Sequence, residues 1–191
     1  MSNGIKTKKV TDISDVQEAL DIIPNINHGG CGIAALALAR WIKKNKPYFK
    51  VHFILAYDNR KEFKNNTDVI CNIEKTRAVA VAHAGVVIEL NRGGAPCIVD
   101  SKGAFPITRY ECTHTFADEA IMVKAINEGN NWNPEFNRAN VYIIEQVLEI
   151  DLSDVSQTYP TDGYSQLITA MNETQFDPIE YIKNFWNLLI H

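Results

Sequence analysis

Residues Cys31 to Lys44 read CGIAALALARWIKK and follow directly on Gly29 and Gly30. Alanine and leucine, the strongest helix formers, fill this run, which is nearly all apolar until Arg40. Lys43 and Lys44 close it where positive side chains suit the negative end of a helix dipole. The pattern predicts a central helix buried on most of its surface and stopped by Asn45 and Pro47. Its approach is the loop Asn25-Ile26-Asn27-His28-Gly29-Gly30, whose two glycines permit backbone angles closed to other residues and so allow a sharp turn into the helix.

Downstream the pattern changes to strands. Tyr48 to Tyr57 (YFKVHFILAY) is β-branched and aromatic over the length of a strand. Ala78 to Leu90 (AVAVAHAGVVIEL) is apolar on both faces, as a strand inside a packed sheet is. Asn91-Arg92-Gly93-Gly94 breaks it, Pro96 to Asp100 (PCIVD) resumes, and Ser101-Lys102-Gly103 turns again, which makes a β-hairpin. Further on, Ile107 to Phe116 reads as a strand, Ala117 to Glu128 as a helix, and Val141 to Leu152 fits either. Asp58 to Arg77 is a polar excursion whose apolar island at Val69, Ile70 and Ile73 allows one helical turn.

Upstream, Ile13, Val16, Leu20 and Ile23 recur at helical spacing, with Ser14 as a cap and Pro24 as a stop. Near the C-terminus, Asp177-Pro178-Ile179-Glu180 has the form of a capping box with proline at the first helical position. Ile179, Ile182, Trp186 and Leu189 then form the docking face of a last helix.

These elements predict an α+β domain, an N-terminal helix packed on an antiparallel sheet with additional C-terminal helices. The 191 residues suit a single domain, 1–191, with a core over about 25–116 and a helical elaboration over about 117–191. The apolar fraction of 46% and charged fraction of 22% are those of an ordinary soluble protein. A net charge of -4 with scattered basic residues argues against nucleic acid as a partner. No apolar run is long enough to span a membrane, and the N-terminus lacks the apolar stretch of a signal peptide, so the expected location is cytoplasmic. Cys31, Cys71, Cys97 and Cys112 are widely spaced, with neither CxxC pairs nor zinc-ribbon spacing, and are expected to be free thiols.

Chemistry concentrates at Cys31. A cysteine acts as a nucleophile in its thiolate form, and the partial positive charge of a helix N-terminus favours that form. The first-turn amide of Cys31, unused inside the helix, can donate to an oxyanion, with Asn25 or Asn27 as a second donor. The base is expected on a neighbouring strand, and His83 stands in the middle of an apolar one. Asp100, where the next strand leaves the sheet, is suited to orient that imidazole. A two-residue hairpin loop at Asn91-Arg92 places His83 directly across from Asp100, with Cβ atoms roughly 5 Å apart; a longer loop or a bulge at the glycine pair shifts the pairing.

Gly29-Gly30-Cys31-Gly32 opening an apolar helix, then His83-Ala84-Gly85-Val86-Val87-Ile88 on a strand and Ile98-Val99-Asp100-Ser101-Lys102-Gly103 on the next, resembles the papain-like cysteine peptidase superfamily. The similarity is greatest to its compact bacterial branches: bacteriocin-processing peptidase domains, cell-wall peptidases and transglutaminase-like proteins. It covers about residues 25 to 103. The resemblance implies a papain-like fold and a Cys31-His83-Asp100 triad that cleaves a peptide, isopeptide or related amide bond, without cofactor or metal, in a protein or peptide substrate. A transglutaminase-like acyltransferase uses the same site, and a catalytically inactive binding or assembly protein keeps the same scaffold. The superfamily commonly carries an oxyanion glutamine six positions before the cysteine; here that position is Asn25. The tryptophan that follows the cysteine in papain itself is absent.

The other candidates have weaker context. His52 lies in a strand without an acidic partner at strand spacing, His28 lies in the loop before Cys31, and His114 and His191 have no supporting neighbours. Cys71, Cys97 and Cys112 read as structural. A zinc site from Cys31, His83 and Asp100 lacks the closely paired ligands usual for structural zinc.

Overall fold

The computed structural model describes residues 10–23, 26–27, 30–57, 81–90, 92–110, 113–128 and 138–158. Helix α1 spans Ile13–Asp21 and turns Val16, Ala19 and Leu20 into the core. Its cap is Asp12, two residues before the expected Ser14. Asp12 accepts the Asp15 amide at 3.2 Å and Asp15 accepts the Asp12 amide at 3.2 Å, a reciprocal box that satisfies two amides otherwise left open at the helix start. Ser14 instead donates to the Asp12 carboxylate at 2.6 Å.

Helix α2, Cys31–Asn45, is the buried helix expected from its composition, with every residue from Gly32 to Ala39 inside. Ile33, Leu36, Leu38 and Ile42 are 0% exposed, and full burial of each such aliphatic side chain contributes about 2 kcal/mol. Strands β1 (Phe49–Tyr57), β2 (Val81–Leu90), β3 (Cys97–Asp100), β4 (Gly103–Pro106) and β5 (Thr113–Phe116) form one sheet in the order β4-β3-β2-β1-β5, each neighbour antiparallel. Helices α3 (Glu119–Glu128) and α4 (Arg138–Leu148) follow, and a 3-10 turn covers Ser153–Thr158. Among the described residues the fold is therefore α+β, with a five-stranded antiparallel sheet and four α-helices.

The pleat of β1 and β2 sorts side chains onto two faces. Phe53, Leu55, Ala84, Val86, Ile88 and Val99 join α1, α2, α3 and α4 in the main core. Ile54, Val87 and Ile98 make a smaller cluster on the opposite face, against Tyr110.

Three segments differ from the sequence reading. Ile107 to Phe116 is not one strand: residues Ile107–Arg109 make a 3-10 turn, and pairing to β1 begins only at Thr113. Pro106 has no amide to continue a ladder, and it ends β4. Gly103–Pro106 is itself an unexpected short edge strand, alternately half-buried and exposed. The ambiguous stretch after residue 138 is a helix, burying Val141, Ile144 and Leu148 at helical spacing. The excursion 58–77 and the C-terminal helix expected after Asp177 fall outside the described residues, as do Asn25, His28, Cys71, Cys112 and His191.

Arg40 ties α2 to the helices that follow. Its Nε meets Glu119 at 2.8 Å, its two terminal nitrogens grip Asp154 at 2.9 and 2.6 Å, and one of them also donates to the Asp151 carbonyl. A bidentate fork of this kind fixes orientation as well as charge.

His114 on β5 sits opposite Leu55 and beside Phe116, 6% exposed, and among the described residues neither ring nitrogen has a hydrogen-bond partner. Burial pushes this imidazole below its ordinary value. An unsatisfied polar group in a core costs about 1 to 3 kcal/mol. His114→Leu should therefore stabilise the protein by about 1 kcal/mol, read as a higher urea midpoint at pH 7, with the gain growing as pH falls below 6.5 and the wild-type imidazole is forced to charge. A lower midpoint in the variant would show that the ring is satisfied.

Candidate functional site

The β2–β3 hairpin decides whether His83 and Asp100 meet. The Gly93 amide donates to the Leu90 carbonyl at 3.0 Å, which closes a turn where Asn91-Arg92 was expected to make one. Gly93 has a φ of +88°, open to glycine and strained for other residues. The ladder then pairs Ile88 with Cys97 and Val86 with Val99, two residues out of step with a two-residue loop, because Gly93-Gly94 is taken up before pairing begins. Continued along the strands, this register puts Gly85, not His83, directly across from Asp100.

A slip of two residues preserves the face on which a side chain emerges. His83 and Asp100 are therefore diagonal neighbours on one face, a separation that long side chains cross. Gly85 lies between them without a side chain, and a Cβ there would meet the Val99 carbonyl oxygen at 3.3 Å. His83 Nε2 reaches Asp100 Oδ2 at 2.9 Å. The direct cross-strand position expected of His83 does not hold, and the two side chains meet diagonally instead.

A bulge lies beside His83. Ala56 pairs with His83, but Tyr57 pairs with Val81. A bulge bends its strand and re-aims a neighbouring side chain, and Cys31 is, with Asp100, among the groups that raise the His83 imidazole. Burial by itself would push the imidazole down, but hydrogen bonds to Asp100 and Cys31 and the negative charge of both outweigh it and raise His83 to about 9. Burial likewise acts to raise Asp100, yet the hydrogen bonds from His83 and from the Lys102 amide, at 2.8 Å, hold it below the ordinary carboxylate value.

Cys31 is half-buried at the first position of α2, and its thiol is free. Gly30, the residue before it, supplies no side-chain cap. First-turn amides of a helix lack intrahelical partners and are open to an anion beside Cys31.

The surrounding contacts hold the two halves in register. Gln17 on α1 donates to the Asp100 carbonyl at 2.8 Å, Ser101 donates to Asn27 Oδ1 at 2.9 Å, and Lys102 meets Asp21 at 2.6 Å. Asn27, an oxyanion candidate, thus accepts from Ser101 through its oxygen and directs its nitrogen to Asp21 at 3.4 Å. Its side chain joins the loop before Cys31 to the turn after Asp100. His52 pairs with Val87, earlier on β1 than the Ala56 that faces His83, and has no part in the cluster.

Tyr110 and Arg109 complete the cluster, and nothing in their spacing along the chain marks them. The Tyr110 ring lies 5.5 Å from the His83 ring. Burial raises the Tyr110 phenol, and the charges of Asp100 and Cys31 add to that effect. The clefts lined by Arg40, Glu119 and Lys124, and by Lys44, Glu149 and Asp151, include no residue of this cluster. Among the described residues no group of three or more His, Cys, Asp or Glu side chains is placed to hold a metal ion, and no helix is long and apolar enough to cross a membrane. Comparison with protein-family models, curated proteins and solved structures finds no match for this chain.

Proposed function

We propose that this chain is a papain-like cysteine hydrolase that cleaves a peptide, isopeptide or related amide bond in a protein or peptide substrate. The observation that carries this reading is His83, bound through Nε2 to Asp100 at 2.9 Å and raised by Cys31, which opens a buried helix. A cysteine, an imidazole and a buried group that orients the imidazole are the parts of nucleophilic catalysis.

In this mechanism the Cys31 sulfur attacks the carbonyl carbon and forms a C–S bond, and the carbonyl oxygen takes up negative charge facing the α2 first-turn amides. Protonated His83 gives its proton to the departing nitrogen as the C–N bond breaks. Neutral His83 then takes a proton from water, the hydroxide attacks the thioester, and the sulfur leaves. Asp100 keeps the imidazole oriented throughout and stabilises its charged form. An amine in place of water makes the same thioester an acyl-transfer intermediate.

Mixing the protein with excess p-nitrophenyl acetate tests this reading. One equivalent of nitrophenol should appear in a burst, with the acetyl mass located on Cys31. Slow release without a burst, or acetyl on other residues only, would overturn it.

A further inference from the structure

Beside the triad stands a cation that forms no ion pair among the described residues. Arg109 is exposed at the end of the 3-10 turn. Its guanidinium carbon lies 3.4 Å from the centroid of the Phe105 ring and 5.6 Å from that of Tyr110, the ring that also packs on His83. Among the described residues no carboxylate forms an ion pair with it, although it is close enough to help hold Asp100 ionised. Among the described residues Arg40 pairs with Glu119 and Asp154, Lys43 with Glu119, and Lys102 with Asp21.

Stacking on an aromatic ring fixes the plane of a guanidinium, and the edge donors not turned to Tyr110 remain to bind a carboxylate through two hydrogen bonds. We propose that Arg109 anchors a carboxylate of the substrate, so that the site selects acyl groups bearing a negative charge near the scissile bond. Phe105 and Tyr110 hold the guanidinium, and Tyr110 links it to the imidazole. This assignment rests on Cys31 being the nucleophile.

The test compares two alkylating reagents that perform the same substitution, forming a C–S bond and releasing iodide, and differ in charge: iodoacetate and iodoacetamide. Second-order rates of Cys31 modification are measured at pH 7 and low salt for the wild type, Arg109→Gln and Arg109→Lys, with unfolding midpoints alongside. Arg109→Gln should slow iodoacetate about three- to tenfold while leaving iodoacetamide within about twofold, because an unscreened charge near a surface is worth that much. Arg109→Lys should keep most of the iodoacetate rate, and added salt should narrow the gap between wild type and Arg109→Gln. Equal slowing of both reagents, or no change in either, overturns the anchor. A wild-type Cys31 that reacts with iodoacetamide no faster than an ordinary exposed thiol overturns the enzyme reading instead.

Discussion

Cys31→Ala should abolish the nitrophenol burst and the iodoacetamide labelling together, leaving only the background rate of ester hydrolysis in buffer. The variant should still fold. Cys31 is half-buried and packs at the margin of the main core, so removing its sulfur costs about 1 kcal/mol or less. Alanine also keeps the helix intact, because it is the best helix former. The contrast between complete chemical loss and near-native stability separates a nucleophile from a structural thiol. Cys97 is the internal control. Burial raises its thiol above the ordinary value, and it should remain slow to label in both proteins.

His83→Gln should have the second largest effect. Loss of a positioned general acid and base typically lowers rates by about 10² to 10⁴, so acyl-enzyme formation should fall by that order while Cys31 remains present. The same substitution carries a stability signature. His83 has an ordinary value of 6.5 and rises to about 9 in the fold. A raised folded value means that the protonated imidazole stabilises the native state fully below pH 6.5, and that this stabilisation is lost as pH climbs through about 9. The ring is 19% exposed, so solvent screens part of the interaction, and the loss is on the order of 2 kcal/mol. Wild type should therefore weaken between pH 6.5 and 9, measured by urea midpoints, while His83→Gln should lack that decline. An identical pH profile in the two proteins would mean that the imidazole has no charged partners in the fold.

Much of this arrangement is legible from local sequence. The α2 helix announces itself because alanine and leucine leave no alternative of comparable propensity, and β1 and β2 because β-branched and aromatic residues run for a full strand length. His83 stands out because an imidazole in an apolar strand needs a polar partner. The hairpin register is less legible. Local signals mark a break after Leu90, but whether Gly93-Gly94 joins the ladder or the loop depends on packing across the sheet. The pairing survives because the slip is an even number of residues.

What spacing hides is the set of contacts between distant segments. Gln17 reaches Asp100 from a helix 83 residues earlier, and Asn27 meets Ser101 across 74. Tyr110 and Arg109 sit in Ile107-Thr108-Arg109-Tyr110, whose β-branched and aromatic content reads as strand. The proline before it diverts the chain into a 3-10 turn, and that turn is what sets Tyr110 against His83. The expected Ser14 cap failed for a related reason: Asp12 and Asp15 together satisfy two amides, and a lone serine two residues later satisfies fewer.

The pairing of sulfur, imidazole and carboxylate is tested most directly by following the His83 ring proton resonances by NMR as pH is raised, in the wild type and in Cys31→Ala. The wild-type ring should titrate near 9, and removing the sulfur should move its midpoint down toward the ordinary value of 6.5, with Asp100 alone left to hold the proton. A His83 midpoint that is the same with and without Cys31 would mean that the two side chains do not meet, and the catalytic proposal would fall with it.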